Sequence, residues 1–287
     1  ANSEGGSNVV TVDFGKKKGR DKPPGSFMEL QDGPAIMTPE PVTSLEPCVG
    51  KLAFLGLDFD LKSRAQWTDL LLSAGQIAPF QYLVTPNVDH VVSFHEGIVP
   101  AEVYTGAAYK VCDSRILSKL ASLRGLTLEA YPGSDLVRDF LADPRSKAVR
   151  IAVFGPSAGD FALLRTVYPE HDLLLVDAPM LKRGTPVWDE AVARLLATPF
   201  DILLSCVSFP KQELICHDLQ VAGRTHGLGI CAGASLDFLT GKQERAPEWM
   251  KTSHLEWLHR LLSDPKRLWH RYLVRGPRIF LLFLSKK

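Results

Sequence analysis

The chain has 287 residues, of which 45% are hydrophobic and 23% charged, so it can bury a sizeable core as one large domain or two small ones. Its formal net charge of +1 excludes a general electrostatic attraction to nucleic acid, and no nucleic-acid partner is predicted. The five cysteines form no Cys-x-x-Cys pair and follow no secretory signal, which favours reduced thiols in the cytoplasm, and no apolar run is long enough to span a bilayer.

The N-terminal stretch is rich in Gly, Ser and Pro and contains the basic run Lys16-Lys17-Lys18-Gly19-Arg20. It shows no sustained apolar periodicity, so it has too little apolar surface to offset the entropy of ordering. We therefore predict a disordered leader over residues 1–47. The basic run is typical of a solvated tail, and contact with an anionic membrane surface is the alternative.

From residue 51 onward, short apolar runs alternate with helical patterns. Strands are predicted at 51–57, 82–85, 108–112, 149–154, 173–176, 202–205 and 229–232, and helices at 63–74, 114–123, 135–141, 160–167, 188–197 and 211–222. Ser134 is the expected cap of the helix at 135–141. This alternation predicts right-handed βαβ units in an α/β core over residues 48–245, with a mostly parallel, Rossmann-like sheet flanked by helices.

Polar clusters follow three of the predicted strands. The carboxyl ends of parallel strands meet at one edge of a sheet, where ligands collect, so the clusters predict one site. For each cluster alone, turn and cap chemistry is the alternative. Asp113 is the best candidate for a general base, although it could equally cap the helix that follows. The three clusters are Thr85-Pro86-Asn87, Asp113-Ser114-Arg115 and Pro210-Lys211-Gln212-Glu213.

Three other patterns are weaker. Asp58-Phe59-Asp60 has the spacing of a divalent-cation site, but Asp is common at strand ends and helix caps, and we favour that interpretation. The match of Gly227-x-Gly229-x-x-Ala232 to a dinucleotide fingerprint precedes the strand that it should follow, so a nicotinamide oxidoreductase is only a minor alternative. The histidines lack ligand spacing, and no metal site is predicted.

Residues 246–287 are predicted to form a helical appendage that is both basic and apolar. Ser253-x-x-Glu256 is a capping box for a helix over 254–262, and Asp264-Pro265 begins a second helix that carries Arg267 and Arg271 at i and i+4. This composition suits attachment to a membrane surface that carries anionic headgroups or diphosphates, although a helix of this composition is more often packed on the core. The alternatives are a helix packed on the core and self-association into a homo-oligomer.

The chain also carries an ordered set of motifs between Leu52 and Leu273: Thr85-Pro-Asn-x-x-His90, Gly133-Ser-Asp-Leu136, Pro210-Lys-Gln-Glu213, Gly233-Ala-Ser-Leu-Asp-Phe-Leu-x-Gly241, Arg245-Ala-Pro-x-Trp-Met250, Leu255-Glu-Trp-Leu-x-Arg-Leu-Leu262 and Asp264-Pro-x-Arg-Leu-Trp269. Each motif is modest by itself, and their order and spacing make the set specific. In these motifs the chain resembles the WecG/TagA/CpsF glycosyltransferases, family 26.

The resemblance implies an inverting, metal-independent transferase without a cofactor. It would move a hexose or N-acetylhexosamine from a UDP-sugar to a polyprenyl-pyrophosphate-linked saccharide, in bacterial surface or exopolysaccharide biosynthesis at the cytoplasmic face of the membrane. Without a metal, arginines and backbone amides must meet the charge of the leaving diphosphate. By resemblance, Asp113 would be the base, Thr85 and Asn87 would line the pocket, Gln212 would contact the donor, and Arg260, Arg267 and Arg271 would hold a diphosphate.

Four positions depart from the residues common in the family. Ser114 and Ser208 stand where glycine is common, Ala130-Tyr131 where a basic residue is common, and His270 where arginine is common. These departures leave the reaction type in place and the sugar open. They also motivate the alternative function, a non-catalytic nucleotide-sugar-binding scaffold at the membrane.

Overall fold

A computed structural model of the chain describes residues 50–231, 233, 235–243, 247, 250 and 256–285; for 256, 260 and 267 it describes the backbone alone. The predicted leader and the predicted cap Ser253 lie outside the described residues. The division into a core and an appendage stays a prediction.

Six parallel strands form the central sheet in the order β4-β3-β8-β7-β5-β6. Every residue of β5, β7 and β8 is buried, as expected of parallel strands covered by helices on both faces. The predicted mostly parallel α/β sheet is confirmed. The strands are β3 (Gln81–Val84), β4 (Tyr109–Lys110), β5 (Ile151–Phe154), β6 (Leu173–Val176), β7 (Ile202–Ser205) and β8 (Leu228–Cys231).

Two apolar clusters, one on each face of the sheet, form the core. One face is covered by α2 (Val88–His95), α3 (Ala101–Thr105), α4 (Arg115–Ser122), α7 (Pro186–Ala197) and α8 (Lys211–Val221). The other is covered by α1 (Arg64–Leu72), α5 (Gly133–Ala142), α6 (Ala158–Val167) and α9 (Ser235–Leu239). Short 3-10 helices occupy Ala74–Gln76 and Pro144–Ala148. This two-sided cover leaves the ends of the strands as the place for a site.

The first described element is a hairpin outside the parallel sheet, so the prediction of one buried strand over residues 51–57 is wrong. β1 (Lys51–Phe54) and β2 (Leu57–Asp60) pair antiparallel. Their two-residue turn puts Leu55 at φ 50° and Gly56 at φ 81°, the left-handed pair that suits a tight hairpin. A leucine there costs about 1–2 kcal/mol, which its burial offsets. Because residues 51–57 are largely apolar, the sequence gives no signal for this turn.

The Asp58-x-Asp60 pair belongs to this hairpin. The Asp60 carboxylate is buried, and its Oδ2 accepts a hydrogen bond of 2.8 Å from the backbone N–H of Lys110. Asp58 is exposed. Asp60 therefore fastens the hairpin to the edge strand β4 and satisfies a backbone donor there.

The structure also decides two other expectations from the sequence, the helix cap at Ser134 and the dinucleotide-like glycine pattern. Helix α5 begins at Gly133 after Pro132, without a side-chain cap, so Ser134 is not the cap. A Cβ on Gly133 would lie 3.2 Å from two side-chain atoms of Thr85, which explains the glycine at this close approach. Gly229 lies inside β8, where a Cβ would meet Cys216 Sγ at 2.9 Å, so packing explains the glycine in the dinucleotide-like pattern.

The C-terminal segment, residues 256–285, consists of helices α10 (Glu256–Ser263) and α11 (Pro265–Trp269), the π-helix His270–Arg275, and α12 (Arg278–Ser285). Its anchor is Ile279, which is 1% exposed and belongs to the apolar cluster beneath α2 and α4. Arg124 adds a hydrogen bond to the carbonyl of Phe283. Within the described ranges, no helix combines the length and apolarity required to cross a membrane.

Candidate active site

The site forms where the polar clusters after β3 and β4 lie side by side. Asn87 caps α2 and Ser114 caps α4, each through a side-chain oxygen that accepts backbone N–H groups. The backbone N–H of Asp113 donates to the Pro86 carbonyl at 3.0 Å and joins the two loops. Two of the three predicted clusters therefore meet at the carboxyl edge of the sheet, whereas no residue of the third cluster, 210–213, lines the cavity described next.

A cavity of about 330 Å³ opens between these loops and the C-terminal segment. Both polar and apolar side chains line it. The structure thus brings Asn87, Asp113 and Arg271, which lie far apart in the sequence, to one cavity. The lining residues are Asn87, Val88, Asp89, Asp113, Ser114, Arg115, Ile116, Pro132, Trp257, Arg271, Tyr272, Leu273, Gly276, Pro277, Ile279 and Phe280.

Arg271 is held at the cavity wall by two partners from α2 and its cap. Its Nη2 donates to Asn87 Oδ1 at 3.1 Å, and its Nε forms an ion pair of 3.3 Å with Asp89 Oδ2. The π-helix that carries it is marked by the i to i+5 hydrogen bond from Gly276 N to the Arg271 carbonyl, 2.9 Å. Its guanidinium therefore has a fixed position beside the first turn of α2.

Two further arginines bind the same face of α2. Arg275 pairs with Asp89 at 3.0 Å and with Glu96 at 3.5 Å, and Arg278 pairs with Glu96. Together with Arg271, three guanidinium groups face two carboxylates, so these five described side chains carry one positive charge in excess. This excess lies next to the cavity, where it favours an anionic ligand.

Thr85 and Gln212, predicted to line the pocket and to contact the donor, are not among the residues that line the cavity. Thr85 is buried and donates to the Cys231 carbonyl at 3.2 Å, which joins the ends of β3 and β8. Gln212 is also buried: its Nε2 donates to Glu213 Oε1 at 2.8 Å, and its Oε1 accepts from the backbone N–H of Gly233 at 2.6 Å. In this conformation both side chains hold the strand ends together, and a donor contact for Gln212 stays a prediction.

The side chains of Arg260 and Arg267 lie outside the described residues, so their predicted contacts to a diphosphate stay predictions. The backbone of both is helical, Arg260 in α10 and Arg267 in α11. Both helices belong to the segment that carries Arg271.

No cysteine is among the described residues that line the cavity. Cys112 precedes Asp113, and burial raises the pKa of its thiol to about 12, against a weaker opposing effect of a backbone contact to Ser114. The thiolate is therefore rare at neutral pH. Among the described residues, no three His, Cys, Asp or Glu side chains are grouped as a metal site would require.

Sequence reasoning missed Asp89, together with the helix α2 that carries it. The signal was present: Asn87 is a good helix cap, and Val88, Val91 and Val92 follow at helical spacing. Trp257 and Tyr272, which lie in the predicted basic and apolar appendage, also line the cavity, and no spacing in the sequence indicated this.

The fold and the cavity define the class of the protein: an α/β enzyme fold whose polar site lies beyond the carboxyl ends of parallel strands and is walled by a basic helical segment. Residues 52–287 match the Glycosyl transferase WecG/TagA/CpsF family. The chain belongs to this family of glycosyltransferases, as its motifs predicted. One similar protein is the N-acetylglucosaminyldiphosphoundecaprenol N-acetyl-beta-D-mannosaminyltransferase of Bacillus spizizenii, 24% identical over 207 residues that cover 71% of this chain and 74% of the relative.

Proposed function

We propose that this chain transfers an N-acetylhexosamine or hexose from a UDP-sugar to a saccharide linked to a polyprenyl diphosphate, with inversion at the anomeric carbon. The observation that carries the proposal is that Asp113 and Arg271 line one cavity whose remaining wall is largely apolar. A base, a cation and an apolar surface are the three features that a lipid-linked acceptor and an anionic leaving group require. The name of the Bacillus relative supports the lipid-linked acceptor, since it specifies transfer of N-acetylmannosamine to N-acetylglucosaminyldiphosphoundecaprenol.

In the proposed reaction, Asp113 accepts the proton of the acceptor hydroxyl. The acceptor oxygen forms a bond to the anomeric carbon as the bond from that carbon to the diphosphate oxygen breaks, and UDP leaves with the electron pair. A single displacement of this kind inverts the anomeric centre. Asp113 lies in the loop that follows β4 and lines the cavity, where a carboxylate can meet a hydroxyl of the acceptor.

The diphosphate charge is met by arginine in this proposal. Arg115 and Arg271 line the cavity, and guanidinium groups bind phosphate oxygens in a bidentate geometry that also fixes their orientation. Arg260 and Arg267 add to this charge in the proposal. With the cation supplied by side chains, we propose that turnover needs no divalent metal and no cofactor.

The proposed location is the cytoplasmic face of the membrane, in bacterial surface-polysaccharide assembly. The support is an exposed apolar face on α12, formed by Phe280, Leu281 and Leu284 beside the basic residues of the C-terminal segment. Such a combination suits insertion into the headgroup region of a membrane with anionic lipids. It would bring the cavity to the acceptor.

The test is transfer by the full chain from a panel of UDP-sugars to a polyprenyl-diphosphate-linked N-acetylglucosamine, in EDTA and in Mg²⁺. Asp113→Asn removes the base, and we expect turnover to fall about 10²- to 10⁴-fold. Asp58→Asn is the matched control, since the same change falls on the exposed hairpin away from the cavity.

Three outcomes would contradict the proposal in different ways. Equal turnover of the parent and Asp113→Asn would refute the base. Loss of all turnover in EDTA would refute metal independence and return attention to the Asp58-x-Asp60 pair. Tight UDP binding without transfer from any donor would favour the non-catalytic scaffold.

A further inference from the structure

His90 and Glu213 are buried, adjacent and ionisable, and the proposed reaction uses neither. His90 lies in the first turn of α2 and Glu213 in the first turn of α8, with exposed fractions of 4% and 0%. The Nε2 atom of His90 lies 3.2 Å from Oε1 of Glu213. The contact joins the helices that follow β3 and β7, the two neighbours of β8 in the sheet.

Each member of this pair also contacts a carboxamide. His90 Nδ1 lies 2.8 Å from Asn87 Oδ1, and Glu213 Oε1 accepts from Gln212 Nε2 at 2.8 Å. Gln212 in turn holds the backbone N–H of Gly233. A continuous set of contacts therefore runs from the cavity wall at Asn87 to the turn after β8.

The hydrogen-bond donors to Asn87 Oδ1 determine whether the Nδ1 atom of His90 carries a proton. Asn87 Oδ1 also accepts from the backbone N–H of Asp89 at 3.0 Å and from Arg271 Nη2 at 3.1 Å, which identifies this atom as the oxygen. A lone pair on His90 Nδ1 would oppose the lone pairs of that oxygen at 2.8 Å, so Nδ1 carries a proton and donates it. A protonated Nδ1 cannot accept from the Asn87 backbone N–H, which lies 3.4 Å away, so the shorter contact of 2.8 Å to Oδ1 decides the tautomer.

The orientation of the Gln212 carboxamide beside Glu213 follows in the same way, from the hydrogen bond that its oxygen accepts. Gln212 Oε1 accepts from the Gly233 N–H, so its Nε2 is the group that faces Glu213 and donates. One proton then lies between His90 Nε2 and Glu213 Oε1, either as imidazolium and carboxylate or as imidazole and carboxylic acid. Both forms keep the buried pair free of an uncompensated charge, which would be strongly destabilising.

Asn87 is left with one group for a ligand. Its Oδ1 is saturated by donors, whereas within the described residues its Nδ2 makes no hydrogen bond. We infer that His90 and Glu213 are positioning residues, which lock the Asn87 carboxamide with Nδ2 as a donor to a substrate oxygen and Oδ1 against Arg271. The inference deepens the proposed function, on which it rests for the identity of the ligand.

The first test needs no variant and no activity. In the full chain labelled with ¹⁵N-histidine, the ring nitrogens of His90 are assigned through bonds at pH 7.5. We expect the shift of a protonated Nδ1. An unprotonated, pyridine-type Nδ1 would overturn the inference, whatever the enzyme transfers.

The second test separates the two ring nitrogens. The His90→Asn variant places an amide nitrogen near the position of Nδ1 and so keeps the donor to Asn87. The His90→Gln variant places one near the position of Nε2 instead and so loses that donor. We expect His90→Asn to retain most of the turnover. His90→Gln should lose about tenfold or more in kcat/KM for the acceptor, the effect of one buried hydrogen bond.

His226→Asn is the control for histidine loss, because His226 precedes β8 at the opposite edge of the sheet. Equal losses in His90→Asn and His90→Gln would mean that His90 is only structural and would overturn the inference. If the parent transfers no sugar, the proposed function fails, and the ¹⁵N shift still decides the inference.

Discussion

Asp89 and Arg271 form an ion pair in which Arg271 Nε lies 3.3 Å from Asp89 Oδ2. The same carboxylate pairs with Arg275 at 3.0 Å, and its side chain is only 9% exposed. One residue near the start of α2 therefore holds two cations of the C-terminal segment. Since Arg271 and Asp89 both line the cavity, the attachment of this segment and the composition of the site depend on the same contact.

We predict that Asp89→Asn loosens the C-terminal segment. Removing one partner of a buried ion pair costs about 3–5 kcal/mol, so amide exchange in α12, measured by mass spectrometry, should accelerate about a hundredfold or more. Glu170→Gln is the control, because the Lys147–Glu170 pair is exposed and contributes little. Unchanged exchange in α12 would show that the ion pairs of Asp89 do not hold the segment, which would then depend on Ile279 and on the contacts of Arg124 and Arg278.

A second prediction concerns Ser114, one of the departures from the family. Its Oγ accepts from the backbone N–H of Leu117 at 3.2 Å, and its extended backbone at φ −156° suits any residue. Ser114→Ala should lower the free energy of unfolding by about 1 kcal/mol, and Ser114→Gly by only a few tenths of that. Urea denaturation of the three proteins measures both. A larger loss for glycine than for alanine would contradict the capping role.

Much of the sheet could be predicted because its signals are local. Apolar runs of four residues alternate with capped helical patterns, and the predicted strand at 173–176 and that at 202–205 match β6 and β7. The hairpin was missed because Leu55 occupies a turn position that usually favours Asn or Gly. With leucine there, residues 51–57 show no turn signal and were predicted as one strand. The turn is supported by a tertiary contact: His95 Nε2 donates to the Leu55 carbonyl at 2.8 Å.

The site was harder to predict because its contacts are long-range. Spacing along the chain placed Asp113 and Asn87 after strands, and their neighbourhood follows from the parallel sheet. No local pattern indicates that Asp89 pairs with Arg271 and Arg275, or that Gln212 is turned toward Gly233 and away from the cavity. Those contacts depend on how the C-terminal segment and the turn after β8 pack.

A third prediction uses the pKa of His171, which burial lowers from 6.5. Its Nε2 donates to the Leu141 carbonyl at 3.1 Å, and its buried Nδ1 has no hydrogen-bond partner within the described residues. Protonation of Nδ1 would therefore leave a buried donor without an acceptor. Below pH 6.5 the unfolded chain binds this proton and the folded chain resists it, so stability falls as the pH drops toward the folded pKa.

His171→Phe should flatten this dependence. The variant is less stable at pH 7.5, because the Leu141 carbonyl loses its donor, yet its loss of stability between pH 7 and pH 5.5 should be smaller than that of the parent. One proton contributes at most about 1.4 kcal/mol per pH unit. His270→Phe, at an exposed position, is the control. Parallel pH slopes for the parent and His171→Phe would contradict the argument.

The last prediction concerns the exposed face of α12, where Leu281 and Leu284 are 69% and 74% exposed while Ile279 is buried. If this face enters a membrane, Leu281→Glu with Leu284→Glu removes two apolar side chains that contribute about 1.5–3 kcal/mol each. Binding to phosphatidylglycerol and phosphatidylethanolamine vesicles should fall more than about a hundredfold, without a change in Tm.

Leu163→Glu is the matched control, since Leu163 is exposed on α6, which covers the other face of the sheet. Ile279→Ala should act in the opposite way: it lowers Tm, because it leaves a cavity in the core cluster, and it leaves the exposed leucines in place. Sedimentation without vesicles separates membrane binding from self-association. A parent dimer that the double Glu variant converts to a monomer would identify this face as a contact between copies of the chain and would refute its attachment to the membrane.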